Sequence, residues 1–182
     1  MDIAGIRREV DRRLDPWSEQ LGADRPGYTN HCLRVLTLCD RLAAPHGFVA
    51  TDREEFLTAG AFHDIGVWSA NTFDYLEPSA ALATAWLTDN GRADLIDLVA
   101  RMVDQHHKLR PAATPDDPVE IFRRADAIDI EFGILGRFGV PRSTYRELSR
   151  DLPDAGFHRR LLRLGAKRIR TNPLSPLPML KW

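Results

Sequence analysis

The chain has 182 residues, and at roughly 100–200 residues per domain this predicts a single domain over 1–182 and excludes a second full-sized one. A chain this long buries roughly 70% of its unfolded surface, so it needs neither a disulfide framework nor a structural metal to hold a core, and any metal is free to be functional. Lys and Arg number 25 against 26 Asp and Glu, a formal charge of -1 that argues against a general nucleic-acid binder and for a small-molecule partner. The two cysteines, Cys32 and Cys39, fall on one predicted helix and suit a reducing, cytoplasmic compartment. No stretch approaches the ~18 consecutive apolar residues of a membrane span, and the charged start MDIAGIRREVDRRLD lacks the apolar core of a secretory signal.

Helical spacing of apolar residues dominates and period-two alternation is nearly absent, which predicts an all-α helical bundle with short connections. A first helix is expected over Asp2–Leu14, then a loop holding Pro16 and Pro26. A second helix is expected from about Thr29, with His31, Val35, Leu38 and Leu42 on one face. Thr51 and Glu54 read as a capping box for a third helix that ends at His63-Asp64-Ile65-Gly66. Pro78 opens a fourth that stops at Asn90-Gly91, and a fifth from about Ala93 aligns Leu95, Val99, Met102 and His106. Pro118 opens a sixth, whose stripe of Val119, Phe122, Asp126 and Ile130 carries an aspartate in a buried register. Two further helices are expected over Ser143–Leu152 and Asp154–Arg170, followed by the proline-rich tail NPLSPLPMLKW. That tail could cap the core, cover a site or form a homodimer contact.

Imidazoles and carboxylates from distant positions therefore point at one interior. Burying them costs several kcal/mol unless something pairs with them, and a divalent cation does so economically. His31, His63, His106 and His107 belong to this set, whereas His46 and His158 sit in polar surroundings. Imidazole with carboxylate suits Mn, Fe, Co, Ni or Zn better than Ca or Mg.

The order His31, then Ala-Phe-His63-Asp64-Ile-Gly, then Arg-Ala-Asp126-Ala-Ile-Asp resembles the HD-domain superfamily of metal-dependent phosphohydrolases. The resemblance runs from about Tyr28 to Glu131, with the C-terminal helices and tail (141–182) beyond it. It implies one divalent metal held by His31, His63, Asp64 and Asp126. It also implies a hydrolase acting on a small phosphorylated metabolite, such as a nucleotide. His106 and His107 resemble the histidines that complete a second metal site in two-metal members, but the intermediate histidine is missing and Ser79 stands near where it is sought. One tight ion with an optional second is the resulting expectation. The segment TFDYLEPSAALATAWL also resembles cyanamide-hydratase-like members, which add water to a nitrile, and a metal-bearing nucleotide sensor without turnover is a third reading.

A divalent ion lowers the pKa of water and polarises a phosphoryl oxygen, so no protein nucleophile is required. Asp64 is expected to orient that water or take its proton, and Asp129, one turn after Asp126, is a spare catalytic carboxylate. Lys108 and then Arg34 are the candidates to hold a phosphate. Trp68, Phe73, Tyr75 and Trp86 are candidates to stack on a base, with packing as the alternative. The basic run from Arg159 to Arg170 complements a helix C-terminus and reads as a solvated face.

Overall fold

The computed structural model describes residues 2–171 and Met179. Asp2 caps the first helix by accepting the Gly5 amide at 2.7 Å, and α1 (Ile3–Leu14) buries Ile6, Val10 and Leu14 on one stripe. The expected loop at Pro16 and Pro26 is instead a run of single turns over 15–24 that leads into α2 (Arg25–Ala43). Pro26 sits in the first turn of α2, where the amide it lacks would have no helical partner, so the helix starts ahead of Thr29.

The expected capping box does not form. The amide and hydroxyl of Thr51 each donate to the Asp40 carboxylate at 2.8 Å, while Glu54 is drawn to Arg13 Nη2 at 2.6 Å. Charged partners brought in by the fold outcompete the local cap, and α3 (Glu54–Phe62) begins without one. His63, Asp64 and Ile65 then form a turn, and a single helical turn follows over Gly66–Ser69. A Cβ on Gly66 would lie 2.5 Å from the Tyr75 carbonyl, so glycine is what lets this turn dock. Its amide donates to Ser79 Oγ at 2.9 Å, which commits Ser79 to the backbone.

Next come α4 (Leu76–Asp89), α5 (Ile96–Gln105) and α6 (Pro118–Ile130), the last capped by Asp117 accepting the Val119 amide at 2.8 Å. The last two helices are α7 (Arg142–Asp151) and α8 (Phe157–Thr171), and Asp154 accepts the His158 amide at 3.2 Å. No strand occurs among the described residues, as expected for an all-α bundle. The tail's role lies outside the described residues, apart from Met179.

The central element is α2, which packs against α1, α3 and α6, while α5 links α3, α4 and α6. Tyr28, Cys32, Val35, Leu36, Leu38 and Cys39 of α2 are fully buried, each larger side chain contributing about 1.5–3 kcal/mol by leaving water. This arrangement brings the middle of α2, the turn after α3, the end of α5 and the middle of α6 to one point. No helix among the described residues is long and apolar enough to cross a membrane.

Candidate metal centre

Four segments meet at that point and deliver His31, His63, Asp64, His106, His107 and Asp126. All but His107 are essentially inaccessible to water, and His107 keeps 15% of its side chain exposed. His31 Nε2 and His63 Nε2 are 2.9 Å apart. Each lies 3.7–3.8 Å from one oxygen of Asp64 and one oxygen of Asp126. Ligands about 2.1 Å from a common ion stand about 3.0–3.4 Å apart at octahedral or tetrahedral angles, so these four atoms surround a space of ionic size. On the other side, Asp64 Oδ1 faces His106 Nε2 at 3.3 Å and Asp126 Oδ2 faces His107 Nδ1 at 3.5 Å. Each carboxylate thus turns one oxygen toward His31 and His63 and the other toward His106 and His107. Two groups, His31 with His63 and Asp64, and Asp64 with His106 and His107, have donor atoms mutually within 4.8 Å.

The polar accounting of this cluster does not close within the described residues. Both oxygens of Asp64, both of Asp126 and Nε2 of His106 are buried without a hydrogen-bond partner. An unmatched buried polar atom costs about 1–3 kcal/mol, and more when charged, so five at one place form a group that could hold a metal ion.

The tautomers agree. His63 Nδ1 donates to the Gly60 carbonyl at 3.1 Å and His106 Nδ1 to the Val103 carbonyl at 2.6 Å, while His31 Nδ1 donates to Asp129 Oδ2 at 2.7 Å. Those partners only accept, so the proton of each neutral ring sits on Nδ1 and its Nε2 lone pair points into the cluster. Burial, followed by repulsion from the neighbouring imidazoles of His31 and His106, brings His63 down to about 3 and keeps it neutral. Burial alone would raise Asp64, but the imidazoles of His63, His106 and His107 hold it below the usual carboxylate range. Asp126 moves the other way, raised chiefly by burial and also by the charges of Asp64 and Asp129, against His106 and His31.

Three expected roles change. Asp129 is not a spare base. Its Oδ1 accepts from Arg34 Nε at 2.6 Å and from the Tyr145 hydroxyl at 3.0 Å, and its Oδ2 accepts from Arg34 Nη2 at 2.9 Å and from His31. Burial opposes ionisation, but His31 and Arg34 hold the carboxyl well below its ordinary range. A carboxylate with every lone-pair direction occupied has none left for a reacting proton, so Asp129 positions His31. Arg34 is equally committed, to Asp129 and to the Leu152 carbonyl at 2.9 Å, and is buried, so its fork cannot reach a phosphate. Lys108 follows the histidine pair, yet its carbonyl accepts from Arg123 at 3.0 Å, and no contact among the described residues carries its ammonium into the cluster.

Several neighbours lacked a sequence signal. The Tyr28 hydroxyl donates to the Ala61 carbonyl at 2.9 Å and accepts the Asp64 amide at 3.3 Å, fixing the turn that carries His63 and Asp64. Phe157 stacks on His31 with ring centroids 4.1 Å apart. Tyr75 places its hydroxyl 2.6 Å from His107 Nε2. His158 is buried rather than solvated: Nδ1 meets Asp154, and Nε2 lies 3.2 Å from the Asp129 carbonyl. Gly133, at φ +61°, leaves the space that Tyr145 fills, since a Cβ would fall 2.4 Å from its ring. Trp68 packs between Tyr28 and Phe157 and donates to Asp24 at 3.0 Å, and Trp86 packs on Phe62 and beneath Arg12 and Arg13. Both are packing residues. Beside His107 and Tyr75 a cavity of about 520 Å³ opens beneath α8, with Phe73 and Phe132 on its walls.

The HD domain model matches residues 28–131, more than half of the chain. No curated protein and no solved structure matches it.

Proposed function

The chain belongs to the HD-domain family, and on that premise we propose that it is a metal-dependent hydrolase of a small phosphorylated metabolite. The observation that carries this reading is the set of five buried, unpartnered donor atoms on Asp64, Asp126 and His106. His31, His63, Asp64 and Asp126 would hold one divalent transition ion, and His106 and His107, with the outer carboxylate oxygens, would complete a second. Such a cation supplies Lewis acidity toward a phosphoryl oxygen and toward water. The chain's own groups supply the rest. Asp129 keeps the proton of His31 on Nδ1, and Arg34 and Tyr145 keep Asp129 ionised and fixed. Asp64 holds its negative charge at the reacting face, where it can orient water. Phe157 and Tyr28 close the far side of the cluster, so access is from the His107 and Tyr75 side.

Metal analysis of the protein as purified should give one to two equivalents of Mn, Fe, Co, Ni or Zn. Turnover should appear in a panel of phosphate monoesters, nucleoside mono- and triphosphates and cyclic dinucleotides supplied with those ions. Absence of both stoichiometric metal and turnover refutes the reading. A second reading, addition of water to a neutral group such as a nitrile, is favoured by one observation: no Lys or Arg among the described residues lines the cavity beside His107. Nitriles therefore belong in the same panel.

A further inference from the structure

Resting on the hydrolase reading, we infer that the cavity beneath α8 is the seat of the substrate's body and that this body is uncharged and apolar, an aryl or branched alkyl group rather than a nucleoside. The cavity measures about 520 Å³, within the ~300–1,000 Å³ range of small-molecule sites. It adjoins the metal centre at His107, which lines the cavity and whose Nδ1 is 3.5 Å from Asp126 Oδ2. A molecule seated there presents one end to the ligand cluster.

The walls determine what that molecule can be. Phe73, Phe132, Leu161, Ala166, Ile169 and Met179 contribute hydrocarbon. Three lining residues among those described, Tyr75, His107 and His158, carry polar side chains, and these groups are engaged. Tyr75 bonds His107, and both ring nitrogens of His158 are taken by Asp154 and the Asp129 carbonyl. A ribose or the edge of a base would surrender its water here without gaining partners, an unfavourable transfer. An aryl ring surrenders no hydrogen bond by the transfer and gains in proportion to the apolar area removed from water. The charged or reacting group of the substrate therefore belongs at the cluster and its hydrocarbon in the cavity. Phe73, Tyr75 and Phe132 offer ring faces and edges to it.

The test separates this inference from the reading it rests on. N-phenyl-1-naphthylamine, a neutral fluorescent probe, should bind the full metal-free chain saturably at one equivalent. Gly165→Leu, whose Cβ would stand 3.8 Å from Phe73 Cζ on the cavity wall, should weaken that binding at least tenfold. Ile169→Asp, a change at a position 53% exposed and so tolerant of substitution, should weaken it severalfold. With metal supplied, 1-naphthyl phosphate should be hydrolysed with kcat/KM about 50-fold above phosphoethanolamine or adenosine monophosphate. Binding of the probe without hydrolysis of any ester supports the cavity and sinks the hydrolase. Hydrolysis with no preference for the aryl ester, or absence of saturable probe binding, overturns the inference and leaves the hydrolase standing.

Discussion

Asp126 and Asp129 lie three residues apart on α6, both fully buried, and their surroundings could hardly differ more. Asp129 has each oxygen engaged by His31, Arg34 and Tyr145, whereas neither oxygen of Asp126 has a hydrogen-bond partner among the described residues. Glu120, two turns earlier on the same helix, belongs with Asp129, since Arg123, Arg124 and the Ala112 amide take up its oxygens. The contrast separates two uses of a buried acid. One kind is complete within the protein and holds it in shape, and the other is left without hydrogen-bond partners, as the proposed metal site requires.

Removing an acid of the incomplete kind should give the largest effect. Asp64→Ala should lose the metal and lower turnover about 10⁴-fold, equivalent to about 5.5 kcal/mol of barrier. In the same variant the metal-free protein should unfold no earlier than the parent, because an unmatched charge has been deleted. Metal analysis with thermal unfolding checks both halves, and tight metal retained by Asp64→Ala would remove Asp64 from the ligand set.

The complete kind should respond in the opposite order. Asp129→Ala leaves Arg34 buried without a counter-charge and should cost about 3–5 kcal/mol of stability, read by urea unfolding of the metal-free protein. His31 loses its orienting acceptor as well, so metal affinity should drop about 10–100-fold without being abolished. If Asp129→Ala matched Asp64→Ala in destroying activity while remaining stable, Asp129 would be acting on the substrate after all.

Metal removal sharpens the contrast further. Saturating Mn or Zn at 100 times its dissociation constant should stabilise the fold by about 2.7 kcal/mol, and a chelator should reverse this. The gain should vanish in Asp126→Asn and persist, at higher metal concentration, in Asp129→Asn.

The smallest effect concerns pH. Burial alone would raise the Glu120 carboxyl, but Arg123, the Ala112 amide and Arg124 hold it at about 2, below its ordinary 4.5. A group depressed in the folded state contributes stability above its unfolded value, and that contribution is lost as pH falls through the folded one. The stability difference between the parent and Glu120→Gln, about 1–3 kcal/mol at neutral pH, should therefore shrink between pH 4.5 and 2. Equilibrium unfolding across that range measures it, and a constant difference would mean that Glu120 acts by packing.

How far the sequence carried these assignments varies from residue to residue. His31 and Asp126 were visible because a polar residue in the apolar register of a helix must be buried, and the stripes through Val35 and Phe122 fixed that register. Asp129 was visible as an acid one turn on, but its partner was not, because Arg34 lies 95 positions away and only the packing of α2 on α6 joins them. The capping box at Thr51 was plausible locally and lost to Asp40 and Arg13, both supplied by other helices. His158 looked solvated among its sequence neighbours and is buried because α8 lays it over Phe132, with ring centroids 3.9 Å apart.

Periodicity and residue type alone determined that the chain is helical and that His31, His106 and Asp126 lie on buried faces, because a helix converts spacing into direction without help from elsewhere. Tertiary structure decided which of those acids are satisfied and which stand open, and whether an arginine is free to meet a substrate. Hydrogen bonds and charge pairs depend on atoms approaching within about 3 Å, and that distance is set by how helices remote in the chain pack together.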